Sequence, residues 1–344
     1  FIIKYNLYFR LMSLLRKLLF PLSLLFKFIQ EVRNLLYDLN IIANTKFNIP
    51  TISVGNLSMG GTGKTPMVEY LLSNLLIKYK IGILSRGYKR KSNGFLKLNE
   101  YSDISVVGDE PFIIQKTFPD SNVYVCEDRV TGIKNILKND ELDFIILDDA
   151  FQHRKLKTTL NIMLSSFSKP FYNDYIFPVG DLRESRLSYK RANIIIITKC
   201  PANLSQNEMN DIKLKINPLE DQKIFFTTIL YKDILFGNKS LNINSIINKE
   251  ILLVTGIAET DSIIRYLNSR SIKFKHLEYS DHHHYSNNDI NNILKLSRNS
   301  LVLTTKKDYY KLKDNINNLL YLDIETRFLK NEDQFLKEVY KILN

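Results

Sequence analysis

Lys64 and Thr65 follow a run of small residues, Ser58-Met59-Gly60-Gly61-Thr62-Gly63, that can fold tightly around an anion. Backbone N–H groups of such a loop, together with the positive end of a helix starting at Lys64, cradle phosphate oxygens. A lysine at this place reaches the β- and γ-phosphates, and the following threonine hydroxyl holds Mg²⁺. The G-x-x-x-x-G-K-[ST] pattern is met at Gly63-Lys64-Thr65, with Ser58 in place of its first glycine. A second pair of groups, Asp148 and Asp149, ends the apolar run that begins at Leu142. Adjacent carboxylates repel unless a cation relieves them, and aspartates so placed reach Mg²⁺ directly or through water. Together the two motifs predict a site for a Mg-nucleotide.

Other residues could act on a second substrate. Asp109 and Glu110 precede Pro111 at a helix start, where acidic side chains serve the helix dipole or, for Asp109, take a proton from a hydroxyl nucleophile. Arg183, in Pro178-Val179-Gly180-Asp181-Leu182-Arg183-Glu184, either stabilises phosphoryl charge with a bidentate guanidinium or pairs with Asp181 or Glu184. Three of the five histidines are consecutive, His282 to His284. Adjacent side chains in regular structure cannot all face one ion, so either the stretch is a solvated loop or His282, next to Asp281, is the one poised for catalysis or phosphate contact. Arg86 to Lys91 form a basic cluster after a strand, suited to a phosphate-bearing ligand or to solvent. Thr305 to Asp308 match the [NT]KxD guanine-recognition pattern, a weak signal in a chain rich in Lys and Asp.

These groups need elements to position them. Thr51–Val54 reads as a strand and the stretch from Lys64 as a helix. The alternation continues to Thr198, which argues an α/β fold with a mostly parallel sheet and helices on both faces. A phosphate-loop nucleotide-binding unit is expected over 41–222. A smaller α/β unit is expected over 223–344, with a hinge in the extended run Lys223–Leu235. The chain has 344 residues, 44% hydrophobic, ample for proper cores. Cys126 and Cys200 are far apart and fit no zinc or disulfide spacing, so free thiols in a reducing compartment are expected.

Residues 1–40 read as a basic, apolar helical segment. Its longest uncharged run, Leu18–Phe26, falls short of the roughly 20 residues a spanning helix needs. Pro21 is expected to kink or divide it. Arg16, Lys17, Lys27 and Arg33 could snorkel to lipid phosphates; the other reading packs the helix on the protein's own core. The net charge of +12 calls for an anionic partner. No nucleic-acid motif is present, which leaves an anionic membrane surface. Met12 reads as the natural start, with residues 1–11 an upstream extension.

In order along the chain, VGNLSMGGTGKTP, LSRGYKRK, VGDEP, DDAFQHR, PVGDLRE, VTGIA, DHHHY and TTKKD resemble the tetraacyldisaccharide 4′-kinase family, the lipid A 4′-kinases. The resemblance implies transfer of the γ-phosphoryl group of ATP to the 4′-hydroxyl of a tetraacyl-disaccharide 1-phosphate, giving lipid IVA. It also implies work at the cytoplasmic face of the inner membrane of a Gram-negative bacterium. It makes Ser58–Thr65 the ATP phosphate loop, and Thr65, Asp148 and Asp149 the Mg²⁺ ligands. Lys64 and Arg183 would neutralise phosphoryl charge. Asp109, assisted by His282, would be the base for the sugar hydroxyl, and Tyr88, Glu110 and Arg129 would lie around the substrates. Ala150 replaces the glycine of a usual DDGFQ, and TTKKD replaces a usual TEKD. A membrane-attached regulatory phosphate-loop NTPase is the alternative, motivated by the Thr-Lys-Lys-Asp match and the basic N-terminus.

Overall fold

The computed structural model describes residues 16, 18–298 and 300–343; Met12 and the residues before it lie outside them. Thirteen strands are formed among the described residues. In the first half they are β1 (Thr51–Asn56), β2 (Ile81–Ser85), β3 (Leu96–Lys97), β4 (Asn122–Val125), β5 (Phe144–Asp148), β6 (Leu160–Ser166) and β7 (Ile194–Thr198). Then come β8 (Lys223–Gly237), β9 (Leu241–Asn242), β10 (Ile251–Thr255), β11 (Phe274–Glu278), β12 (Leu301–Thr305) and β13 (Leu319–Phe328). Their order is β11-β10-β12-β13-β8-β7-β6-β1-β5-β2-β4-β3, with β9 on β8.

From β4 to β8 every pairing is parallel. Strands covered on both faces read as continuous apolar runs, and Ile194-Ile195-Ile196-Ile197 is buried throughout. Ile52, Val54 and Ile146 pack on one side with Met67, Leu71 and Leu75 of the helix Lys64–Leu75. Ile145 and Leu147 pack on the other with Ile133 and Ile136 of the helix Arg129–Asn139.

The long strand β8 belongs to both halves. Its first residues pair parallel with β7, and Thr227–Gly237 pair antiparallel with β13. β13, β12, β10 and β11 are mutually parallel, so this second set runs opposite to the first. The carboxyl ends of both sets therefore meet at one cleft, and ligands of open α/β sheets bind beyond such ends. The C-terminal helix Glu332–Tyr340 returns to the first set, where Phe335 and Val339 complete its core.

Arg16 and Leu18 are helical, Leu19 is a turn, and a new helix runs Phe20–Asp38. Pro21 sits in its first turn, so the proline divides the segment as expected. The helix turns its polar groups inward. Ser23 Oγ donates to the Ile176 carbonyl (2.6 Å), Ser185 Oγ donates to Glu31 Oε1 (2.9 Å), and Arg33 Nη2 donates to Glu184 Oε1 (3.1 Å). Its apolar side chains face outward: Leu25 is 56% exposed and Phe28 65%. No helix among the described residues is long and apolar enough to cross a membrane.

Candidate active site

Gly63 stands at φ +85° as the residue before the helix Lys64–Leu75, a left-handed conformation that a Cβ disfavours. The helix's first N–H groups have no helical partners by construction, so they point at whatever occupies the loop. The loop is fastened from beneath. Asn56 Nδ2 donates to Thr62 Oγ1 (2.6 Å), and Thr198 Oγ1, at the end of β7, donates to the Thr62 carbonyl (2.8 Å). It is also clipped from the side, where Met59 N donates to the Asp181 carbonyl and Arg183 N to the Leu57 carbonyl, both 2.7 Å. Ser58, Met59 and the three loop glycines thus form a lip whose shape depends on the 174–186 segment.

Asp148 ends β5 fully buried. One carboxylate oxygen accepts from Ser85 Oγ (3.1 Å), while Oδ1 has no partner. Burial, then the nearby Glu110 and Asp149 carboxylates, push its pKa up to about 7. Asp149 turns left-handed at φ +49° and takes Arg183 Nη1 on both oxygens (3.0 and 2.9 Å), with Lys64 Nζ 3.6 Å away. Burial opposes its charge, but Lys64 and Arg183 outweigh it and hold the carboxyl below its usual range. Arg129 lies behind the pair. Its guanidinium donates to the carbonyls of Cys126, Glu127, Asp148 and Asp149, which fixes the backbone that carries both aspartates.

Mg²⁺ is commonly bound by one or two carboxylates completed by phosphate oxygens. Among the described residues no cluster of three or more His, Cys, Asp or Glu could hold a metal unaided. Thr65 and Asp149 line the cleft, and the unpartnered Asp148 Oδ1 is buried behind Asp149; this set fits a metal held jointly with a ligand's phosphates.

The opposite wall is built jointly, from the Tyr88 and Asp109 segments of the first half and the His282 and Lys311 segments of the second. Gly108, at φ +94°, precedes the helix Asp109–Thr117. A Cβ there would lie 3.2 Å from the Gly87 backbone, so two glycines let the Tyr88 and Asp109 segments touch. Asp109 Oδ2 lies 3.1 Å from His282 Nδ1 and 2.6 Å from Lys311 Nζ. Burial would raise the Asp109 pKa, yet the His282 hydrogen bond and the Lys311 ammonium win and hold it at about 2. His282 adopts φ +56°, its N–H bonds back to the Gly256 carbonyl, and its ring meets that of Tyr88 edge-on at 5.2 Å. His283 diverges, with Nε2 3.1 Å from Asp289 Oδ2, so the consecutive histidines do not converge on one ion.

Met59–Thr65, Asp149, Arg183, Glu110, Arg129, Tyr88 and His282 all line one cleft of about 970 Å³, with Ser58 buried beneath the loop. A family model, LpxK: Tetraacyldisaccharide-1-P 4′-kinase, matches residues 15–344. The chain belongs to this family. It is 44% identical over 334 residues to a tetraacyldisaccharide 4′-kinase of Flavobacterium psychrophilum, covering 95% of this chain and 97% of that protein. It is 37% identical to one of Bacteroides fragilis, covering 94% and 92%. A crystal structure of LpxK from Aquifex aeolicus in complex with ATP matches with a TM-score of 0.78 and 32% identity, over 96% of this chain and 100% of that one. The chain is accordingly a kinase of lipid A synthesis rather than a regulatory NTPase.

In this kinase some site residues had no sequence signal strong enough to single them out. Lys311 stands four residues after Lys307, on the same face of the helix Lys306–Leu312; that spacing was its one visible sign. Asn56, Thr198 and Glu184 act through tertiary contacts alone. The Thr-Lys-Lys-Asp stretch is a helix start. Thr305 Oγ1 accepts from Asp308 N (3.2 Å), and the buried Asp308 carboxylate accepts from Gly256 N (2.8 Å). Asp308 is thereby committed to the backbone, which removes the base-reading role that a guanine motif requires.

Proposed function

We propose that, in the tetraacyldisaccharide 4′-kinase reaction of this chain, ATP lies with its phosphates on Ser58–Thr65 and the disaccharide enters from the Asp109–His282 side. The observation that carries this reading is that the phosphate loop and His282, whose Nδ1 is bonded to Asp109 behind it, line one cleft. Phosphoryl transfer needs charge neutralisation around the γ-phosphate and a hydroxyl aligned with it. Lys64 and Arg183 supply cationic charge once ATP draws them from Asp149. Thr65, Asp148 and Asp149 would hold Mg²⁺, whose chemistry is to neutralise the β- and γ-phosphate oxygens. The 4′-hydroxyl oxygen attacks γ-phosphorus, the bond to the β–γ bridging oxygen breaks, and the hydroxyl proton passes to the Asp109–His282 pair. A carboxylate held at about 2 is a weak base alone, so the imidazole that lines the cleft is its working partner. Tyr88 and Glu110 flank the acceptor, and Arg129 holds the aspartate-bearing turn.

The nucleotide unit, 41–222, and the C-terminal unit, 223–344, close the cleft between them and keep water from the γ-phosphate. The helix Phe20–Asp38, apolar side outward and carrying Lys27, rests on an anionic bilayer. This arrangement suits a kinase at the cytoplasmic face of the inner membrane, where an acylated acceptor would be met. A transfer assay with Mg-ATP and purified tetraacyl-disaccharide 1-phosphate tests the reading. Gain of one phosphoryl group by the lipid for each ADP formed supports it; ADP formation indifferent to the lipid would overturn it.

A further inference from the structure

The helix Lys306–Leu312 carries three lysines to three acidic sites, and the phosphate-loop reading assigns none of them a task. Lys306 Nζ lies 2.8 Å from Asp323 Oδ1 and 3.3 Å from Glu69 Oε1 of the phosphate-loop helix. Lys307 Nζ lies 3.0 Å from Asp281 Oδ1, beside His282. Lys311 Nζ lies 2.6 Å from Asp109 Oδ2 and donates to the His283 carbonyl at 3.1 Å. The Lys311 side chain is 10% exposed and Asp109 16%, so this pair is poorly screened by solvent. The helix is pinned at its start, where Asp308 bonds Thr305 Oγ1 and Gly256 N. The same strand end offers its Gly256 carbonyl to His282 N. One rigid junction therefore sets the places of both Lys311 and His282.

From this geometry we propose that Lys311 is a positioning residue of the phosphoryl transfer, which clamps Asp109 from the C-terminal unit and so presents the carboxylate to His282 only when the two units meet. The inference rests on the Asp109–His282 pair being the acceptor-side base. Asp109 comes from the nucleotide unit, whereas His282 and Lys311 come from the other. A cleft held open would separate the carboxylate from both partners at once, and ATP bound alone would then face no assembled base. Lys311 fixes one Asp109 oxygen by a short charge-assisted hydrogen bond, a stronger restraint than a neutral one. That same oxygen, Oδ2, meets His282 Nδ1, and Nε2 on the other edge of the ring lies 3.8 Å from Asp281 Oδ2. The charged and titratable groups around the pair are Lys311, Lys307, Asp281, Glu110 and the Tyr88 phenol.

The test compares Lys311→Met and Lys311→Arg with the parent enzyme in the lipid transfer assay, as full pH profiles of kcat and of KM for ATP. Lys311→Met is expected to lower kcat by up to about 100-fold, the scale of a misplaced catalytic group, with KM for ATP little changed. Its acid limb moves to higher pH by about one pH unit or more, because a cation no longer favours the ionised Asp109 carboxylate. Lys311→Arg keeps the charge and recovers much of kcat and the parental acid limb. A Lys311→Met enzyme with parental kcat, or one whose loss leaves the acid limb unmoved, would overturn the proposal. So would equal losses in both variants accompanied by equal drops in melting temperature. Asp109→Asn, run alongside, separates the two layers. If it retains parental turnover, the base assignment itself fails; if it is inactive while Lys311→Met is not, only the clamp fails.

Discussion

The Arg33 guanidinium lies 3.1 Å from the Glu184 carboxylate, and Glu184 directly follows Arg183, whose guanidinium holds Asp149. Glu184 is fully buried and takes Arg191 Nη2 on its other oxygen at 2.7 Å. One carboxylate thus ties the outward-facing N-terminal helix to the segment that supplies Arg183 and clips the phosphate loop. Glu184→Ala strands Arg191 among buried groups without its counter-charge. The expected loss is roughly 3 kcal/mol, the scale for breaking a buried ion pair, read as a lower urea midpoint. A lower kcat should accompany it as Arg183 loses its seat.

Lys64→Ala removes the side chain proposed to reach the β- and γ-phosphates. Turnover is expected to fall by at least about 100-fold, as for removal of one preorganised charge donor. Initial rates of lipid phosphorylation decide it, and near-parental rates would sink the phosphate-loop assignment.

Asp109 gives a pH signature in stability as well as in rate. Its folded pKa is depressed to about 2, below the roughly 3.9 of a free aspartate. The carboxylate therefore contributes stability above about pH 4, and that contribution is lost as pH falls toward 2. Asp109→Asn should cost about 2 kcal/mol at pH 7, and the gap from the parent should narrow steadily through this acid window. Denaturant curves at several pH values measure it; a gap independent of pH would contradict the ion-pair account.

The apolar face of the helix Phe20–Asp38 includes Leu25, 56% exposed, and Phe28, 65% exposed. Leu25→Glu with Phe28→Glu should leave the fold intact, since these side chains touch solvent. Co-sedimentation with vesicles containing anionic lipid should drop several-fold, because two apolar insertions become anionic charges. Parental binding by this double variant would place the bilayer contact elsewhere.

Much of the nucleotide side was legible from the chain because it is local. Strand, glycine loop, lysine and helix follow one another from Thr51 to Leu75, and β5 runs straight into Asp148. Periodicity and turn chemistry suffice for such contiguous units. On the acceptor side Asp109 and His282 each stood out singly, but their pairing was suggested only by the family motifs, since Asp109, His282 and Lys311 come from three separate segments joined by the sheet order. Nothing local in Lys223–Gly237 announces a strand shared by two oppositely directed sets, because its burial is decided by partners far away. Glu184 shows the same limit: beside Arg183 in sequence, it pairs instead with Arg191 and Arg33.

The central claim is that phosphate loop and Asp109–His282 pair act on one lipid hydroxyl in one cleft. Its most direct measurement is single-turnover transfer from ATP to the tetraacyl-disaccharide 1-phosphate by the parent, Asp109→Asn and His282→Ala enzymes. Product mass, ADP and ATP affinity are read together. The account predicts one added phosphoryl group per lipid in the parent. Both variants should transfer at least about 100-fold more slowly, with ATP affinity nearly unchanged. Parental transfer rates in Asp109→Asn, or losses in both variants matched by equal losses of ATP affinity, would contradict it.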